Sequence, residues 1–267
     1  MVRGISRAIS AAAAAGATVA VFGLIAAGTA GAATRPLPRA YHTNAAVATR
    51  SGLTAVSNQI AGFATAAFEN WRFRSVATTV PVAGCRIAPT KNPVALVDLV
   101  GGTKWAAQIA VFCNGGASSI AFFDQKTAAT STTGVFKLIP RVGDSLAVGI
   151  SRNVAGHVDS FTVTNLRTRR SQTVRVSTST AVIYHQAFLG SAVVNSNADL
   201  TPLPATAQLL WTFQGSRVVT YSGIRGTLRG PWSTLRVIDR SGAATLMYPG
   251  RLSAGGANFS AFLNHHA

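Results

Sequence analysis

From Ser75 onward, apolar and polar residues come in short blocks separated by Gly, Asn, Ser and Pro. The blocks include "SVATTVPV", "VALVDLV", "WAAQIAVF", "SSIAFF", "GVFKLI", "SLAVGIS", "DSFTVTN", "QTVRVST", "AQLLWTF", "STLRVID" and "ATLMYP". Several alternate with a period of two, so that Phe161 and Val163 share one face of a strand, as do Val174 and Val176. Short β-branched runs with a turn every ten or so residues predict an all-β sandwich or barrel. Many blocks are apolar at successive positions, which suits strands covered on both faces. "TNLRTRRSQT", between two alternating blocks, reads as a hairpin with a basic tip. One helical pattern precedes this region. Leu53, Val56, Ile60, Phe63 and Ala67 are spaced by three and four residues, which predicts a short amphipathic helix. Residues 34–50, small, polar and Pro-containing, read as a linker or pro-segment. The expected layout is a leader over 1–33, a linker with a helix over 34–67 and a β-sandwich over 68–267.

The N-terminal stretch adds a compartment. Arg3 and Arg7 precede an apolar Ala-rich run from Ala8 to Ala30, followed by "AGAAT". A basic start, an apolar centre and small residues at the end form a secretory signal peptide, with cleavage near Ala32 or Ala33. The alternative is an uncleaved anchor, since the run can just span a bilayer at ~20 residues. No later segment is long and apolar enough to cross. In a secreted protein Cys85 and Cys113 are expected to pair as a disulfide worth ~3 kcal/mol; two free buried thiols are the other reading. Neither belongs to a C-x-x-C pair, so a zinc or redox site has no support.

Charge narrows the choice of partner. The chain has 24 Lys and Arg against 7 Asp and Glu, a formal net charge of +17. Removing Arg3 and Arg7 with the leader lowers this to +15. Such a charge favours cell-wall or glycan polyanions and anionic surfaces. Nucleic acid is not the expected partner of an exported protein, and a monomer is expected. A GC-rich genome accounts equally well for the Arg and Ala bias.

"GDSLAVG" (143–149) has the Gly-Asp-Ser-Leu signature of a serine esterase. Strand and turn follow it rather than helix, no D-x-x-H occurs near the C-terminus, and a Ser without a positioned base is a poor nucleophile. It reads instead as a turn that launches a strand. The five His show no metal-ligand spacing, and no Gly-rich loop precedes a helix, so no metal or cofactor is expected.

Several stretches in one order resemble the secreted glutamic peptidases, the eqolisins. They are "FENW", "VALVDLVGGTKWAAQIAVFCNGG", "IAFFDQ", "IPRVGDSLAVGISRNVAGHVDSFTVTNLRTRRSQTV", "LPATAQLLWTF" and "SAGGANFSAFL", spanning about residues 68–263. The resemblance implies a jelly-roll-like, concanavalin-type sandwich of two antiparallel sheets. It also implies a Gln and Glu pair, in which the carboxylate acts as general base on water and the amide stabilises the oxyanion. Gln108 falls at the Gln position. The Glu position falls at about Ala192, with Val193 where the family has Trp, and Glu69 is the sole Glu of the chain. The resemblance therefore implies a catalytically impaired homologue that binds an extended peptide or cell-surface polymer. The alternative is a divergent acid endopeptidase in which Asp124 or Asp199 replaces the Glu. Trp71 and Trp105 are the candidate substrate platforms, with core packing as the competing role.

Overall fold

The computed structural model describes residues 18–19, 41–49, 52–57, 60–65, 71–82, 91–101, 105–114, 117–125, 131–178, 182–195, 208–241 and 244–263. Every regular element among them is a strand. In chain order they are β1 (Thr18–Val19), β2 (Tyr41–Thr49), β3 (Gly52–Ser57), β4 (Ile60–Thr65), β5 (Phe73–Pro81), β6 (Lys91–Gly101), β7 (Trp105–Asn114), β8 (Ala117–Gln125) and β9 (Ser131–Val135). They continue as β10 (Ser145–Asn153), β11 (Val158–Asn165), β12 (Arg170–Ser177), β13 (Gln186–Asn195), β14 (Gln208–Thr220), β15 (Arg225–Gly226), β16 (Thr234–Ser241), β17 (Ala244–Pro249) and β18 (Phe259–Leu263).

The strands form two layers. In the first, β9, β8, β7, β6, β13, β4 and β16 lie side by side, and β17, β18 and the first half of β14 continue it. In the second, the last half of β14 pairs with β5, which is followed by β10, β11 and β12. β14 changes layer at a register break between Gln214 and Arg217. Pairing is antiparallel throughout, except where β3 runs parallel to β16. The architecture is thus a β-sandwich, in which inward-facing side chains of both layers form one core. Val97, Leu99, Ile109 and Phe122 of the first layer meet Val76, Val148, Ile150 and Phe161 of the second.

Gly52–Ser57 and Ile60–Thr65 are strands, not the helix that the spacing over 52–68 predicts; Ala67 lies outside the described residues. β3 and β4 occupy this stretch, and β4 is inserted between β13 and β16. Its six residues are all buried. Ala61 and Phe63 face the inter-layer core, while Ile60 and Ala64 join a second apolar cluster on the opposite face. A strand covered on both faces is apolar at successive positions, and spacings of three and four arise within it without a helical stripe. The sheet therefore begins before residue 68. Gly62 of β4 and Gly190 of β13 stand opposite each other. A Cβ on Gly62 would run into the Leu189 carbonyl, and one on Gly190 into the Phe188 ring and the Ala61 carbonyl.

"GDSL" is a turn that launches a strand. Gly143 has φ +86°, and Ser145 is the first residue of β10. Asp144 accepts hydrogen bonds from the Arg141 backbone N–H at 2.9 Å and the Asn165 amide at 2.6 Å, and pairs with Arg167. These partners, rather than a thick layer of protein, cover its carboxylate and hold its pKa below the usual carboxylate value, Arg167 contributing most. A depressed folded-state pKa stabilises above the unfolded value and is lost as pH falls through the folded one. Asp144→Ala should therefore lower Tm at pH 7, measured by circular dichroism, and the difference should narrow as pH falls below the unfolded carboxylate value.

Candidate functional site

β6 and β7 form a hairpin closed by the pairing of Gly101 with Trp105. Three residues further along each strand, Asp98 stands directly opposite Gln108. Directly opposed residues share a face, with Cβ atoms roughly 5 Å apart. That face is the one turned away from the inter-layer core, because Val97, Leu99, Ala107 and Ile109 take the core side. The row extends across the sheet as Phe123, Gln108, Asp98, Phe188 and Ala64. Leu96, Val100, Ala110, Phe112 and Phe188 form the apolar cluster around it.

The pair is enclosed. Asp98 is 0 % exposed and Gln108 2 %. Neither carboxyl oxygen of Asp98 and not the Nε2 of Gln108 has a hydrogen bond among the described residues. Burial pushes the Asp98 pKa well above the ordinary carboxylate value, and the nearby Gln108 amide offsets part of that rise. A charged form excluded from water is disfavoured unless hydrogen bonds replace the water. Asp98 is accordingly held towards its neutral, protonated form.

The other sequence-derived candidates lie elsewhere. Asp124 pairs with Ala107 and so shares the core-facing side of the sheet with Ile120 and Phe122, opposite to the side of Gln108. There it contributes negative charge beside Tyr184. Trp71 and Trp105 both pack against the inter-layer core, Trp71 meeting Trp232 edge-on at 5.8 Å. Ala192 is fully buried on β13, but the β13 residue in line with Gln108 and Asp98 is Phe188, four positions earlier. Cys85, Glu69 and Asp199 lie outside the described residues, and with Cys85 the expected disulfide to Cys113. Among the described residues no three His, Cys, Asp or Glu side chains gather to hold a metal ion.

Asp98 is the site residue that sequence reasoning missed. A signal for it exists: a lone Asp in the apolar run "VALVDLV", as far before the Gly101–Trp105 closure as Gln108 lies after it.

A second buried polar group joins the layers. Arg152 of β10 pairs with Asp159 of β11 at 3.1 Å, with both side chains almost wholly covered. The Tyr184 hydroxyl donates to Asp159 at 2.8 Å. Burial and the charges of Asp159 and Asp124 push the Tyr184 pKa well up, so it stays a phenol and a donor.

No protein-family model matches the sequence, and no curated protein matches it. Solved structures do. Scytalido-glutamic peptidase with a peptide-based transition-state analogue superposes with a TM-score of 0.58 at 16% identity, covering 76% of this chain and 97% of that one. The same peptidase with a transition-state analogue inhibitor gives 0.56 at the same identity and coverage. The chain has the glutamic-peptidase fold. At this identity the likeness concerns architecture, so the residues on the glutamic-peptidase scaffold must be judged by their own chemistry here. On this scaffold the row across the sheet carries an amide at Gln108, a buried carboxyl at Asp98 and a phenyl ring at Phe188.

Proposed function

We propose that this protein is a secreted, non-catalytic β-sandwich that uses the glutamic-peptidase fold to bind an extended peptide or cell-surface polymer. The observation that carries this reading is the enclosed Gln108–Asp98 pair. A general base must be ionised and must reach a water molecule. Asp98 is fully buried and so is shut off from water, and its burial disfavours the ionised form that a base needs. No second carboxyl compensates on β13, where Phe188 occupies the row. Losing a general base typically costs ~10²–10⁴-fold in rate. The net charge of +17 supports an anionic partner.

A second reading, an acid endopeptidase with Asp98 as the carboxyl partner of Gln108, is favoured by their direct opposition across β6 and β7. One assay separates the two. Purified protein is incubated with denatured casein from pH 2 to pH 7, beside Gln108→Ala and Asp98→Asn. The expected result is no cleavage at any pH. Cleavage that disappears in both variants would overturn the non-catalytic reading and make the pair its active centre.

A further inference from the structure

The side of the first layer that carries Asp98 and Gln108 changes character at its far edge, over β18 and β14. There Ser260, Phe262 and Thr212 point away from the inter-layer core, into which Phe259, Ala261, Trp211 and Phe213 are packed. An open groove of about 710 Å³ lies over them, bordered by Gln214, Arg251 and Asn258. We propose that this groove binds a carboxylate-bearing glycan.

Three features of the groove point to that chemistry. The first is its excess of donors. Asn258 uses its side-chain oxygen to accept from the Gly215 N–H at 2.8 Å, which leaves its NH₂ for a ligand. Ser253 uses its oxygen to accept from the backbone N–H groups of Ala257 and Asn258, which leaves its hydroxyl proton. Gln214 is exposed, and exposed Arg251 makes no ion pair among the described residues, whose two ion pairs engage Arg152 and Arg167. Among the described residues no carboxylate lines the groove, so an anionic group entering it meets donors without a competing negative charge there.

The second feature is an aromatic floor. Phe262 lies in the groove and stacks on Tyr248 at 5.6 Å with an interplanar angle of 22°. A flat ring beside amides and hydroxyls suits the apolar face of a sugar ring, whose hydroxyls then reach the donors around it. Gly250 keeps this floor open, since a Cβ there would come within 2.8 Å of the Phe262 ring. The third feature disfavours a peptide. β18 is paired with β14 on one edge and β17 on the other, so an extended chain cannot add to it as a strand. Recognition must run through side chains.

This proposal rests on the binding role argued above and names its ligand class and its site. The test measures binding of fluorescent oligogalacturonate to the purified protein, with dextran as a neutral glycan and polyglutamate as an anionic peptide. Gln214 and Arg251 are exposed, so Arg251→Gln combined with Gln214→Ala removes donors without disturbing the core. The expected result is oligogalacturonate binding that weakens about tenfold or more in this double variant. Arg169→Gln with Arg170→Gln, at the distant hairpin tip, should change it less than about twofold, as surface charge alone acts weakly in salt. Dextran should not bind. Absence of oligogalacturonate binding, equal loss in both double variants, or polyglutamate binding as tight as the glycan would overturn the assignment. Casein cleavage would sink the non-catalytic reading and leave this groove standing.

Discussion

Arg152→Ala should lower the folding free energy by ~3–5 kcal/mol, measured by urea denaturation at pH 7. The guanidinium lies against Asp159 at 3.1 and 3.2 Å, and its side chain is 1% exposed. Its removal leaves the Asp159 charge in the interior beside that of Asp124, without the guanidinium that faces it, while the Tyr184 hydroxyl still donates to it. A buried ion without its counter-ion costs more than the pair contributes, since desolvation is no longer offset. The double variant Arg152→Met/Asp159→Leu, which removes both charges, should therefore be more stable than Arg152→Ala alone. If the two are equally destabilised, lost packing and not charge holds this part of the sandwich.

Asp98→Val should act in the opposite direction and raise stability at pH 7 by about 1–3 kcal/mol. The carboxyl has the Gln108 amide beside it but no hydrogen bond of good geometry among the described residues, and it shares its face with Leu96, Val100, Ala110 and Phe188, so an apolar side chain of similar size removes a cost and adds contact. The effect should grow with pH. Burial raises the pKa of Asp98, and raises that of Asp239 from 3.8 to about 7. The folded chain then holds protons that the unfolded chain releases. Stabilisation from such groups is full below about pH 4 and is lost as pH rises through the folded-state value. For Asp239 this window runs from about 4 to 7, with a total on the order of 4 kcal/mol. The wild-type protein should thus lose stability from pH 4 to pH 7, and Asp98→Val should flatten part of that slope. A wild-type curve that rises over this range, or an Asp98→Val protein less stable at pH 7, would mean that Asp98 is held ionised by a partner. That result would revive the carboxyl and amide pair as a working site.

Much of the fold was legible in the sequence. Apart from "GVFKLI", where β9 already ends at Val135 and residues 136–139 run on outside any strand, the blocks from "SVATTVPV" to "STLRVID" coincide with strands because β-branched, turn-bounded runs form few other structures. The Gly-Asp turn before β10 and the basic hairpin tip between β11 and β12 were equally readable, since local turn chemistry decides both. The region 52–68 misled because its apolar spacing fits a helix as well as a strand covered on two faces, and the covering strands β13 and β16 arrive from far along the chain.

The site divides in the same way. Gln108 stood out by its resemblance to a catalytic amide, and the absence of any Glu beyond residue 69 follows from composition alone. Which side chains meet Gln108 was a matter of strand register. A shift of one residue reverses every side chain between the two faces of a sheet. That rule turns Asp124 into the core beside Tyr184 and brings Asp98 to the amide, although both lie on strands adjacent to β7. The chain's own pattern fixed its strands, its strong positive charge and its lack of a second glutamate, because these depend on residue type and local spacing. Only the assembled sandwich decided that the Asp98 carboxyl is sealed in apolar surroundings and that a donor-rich groove opens over β14 and β18. Burial and pairing are properties of strands brought together from across the whole chain.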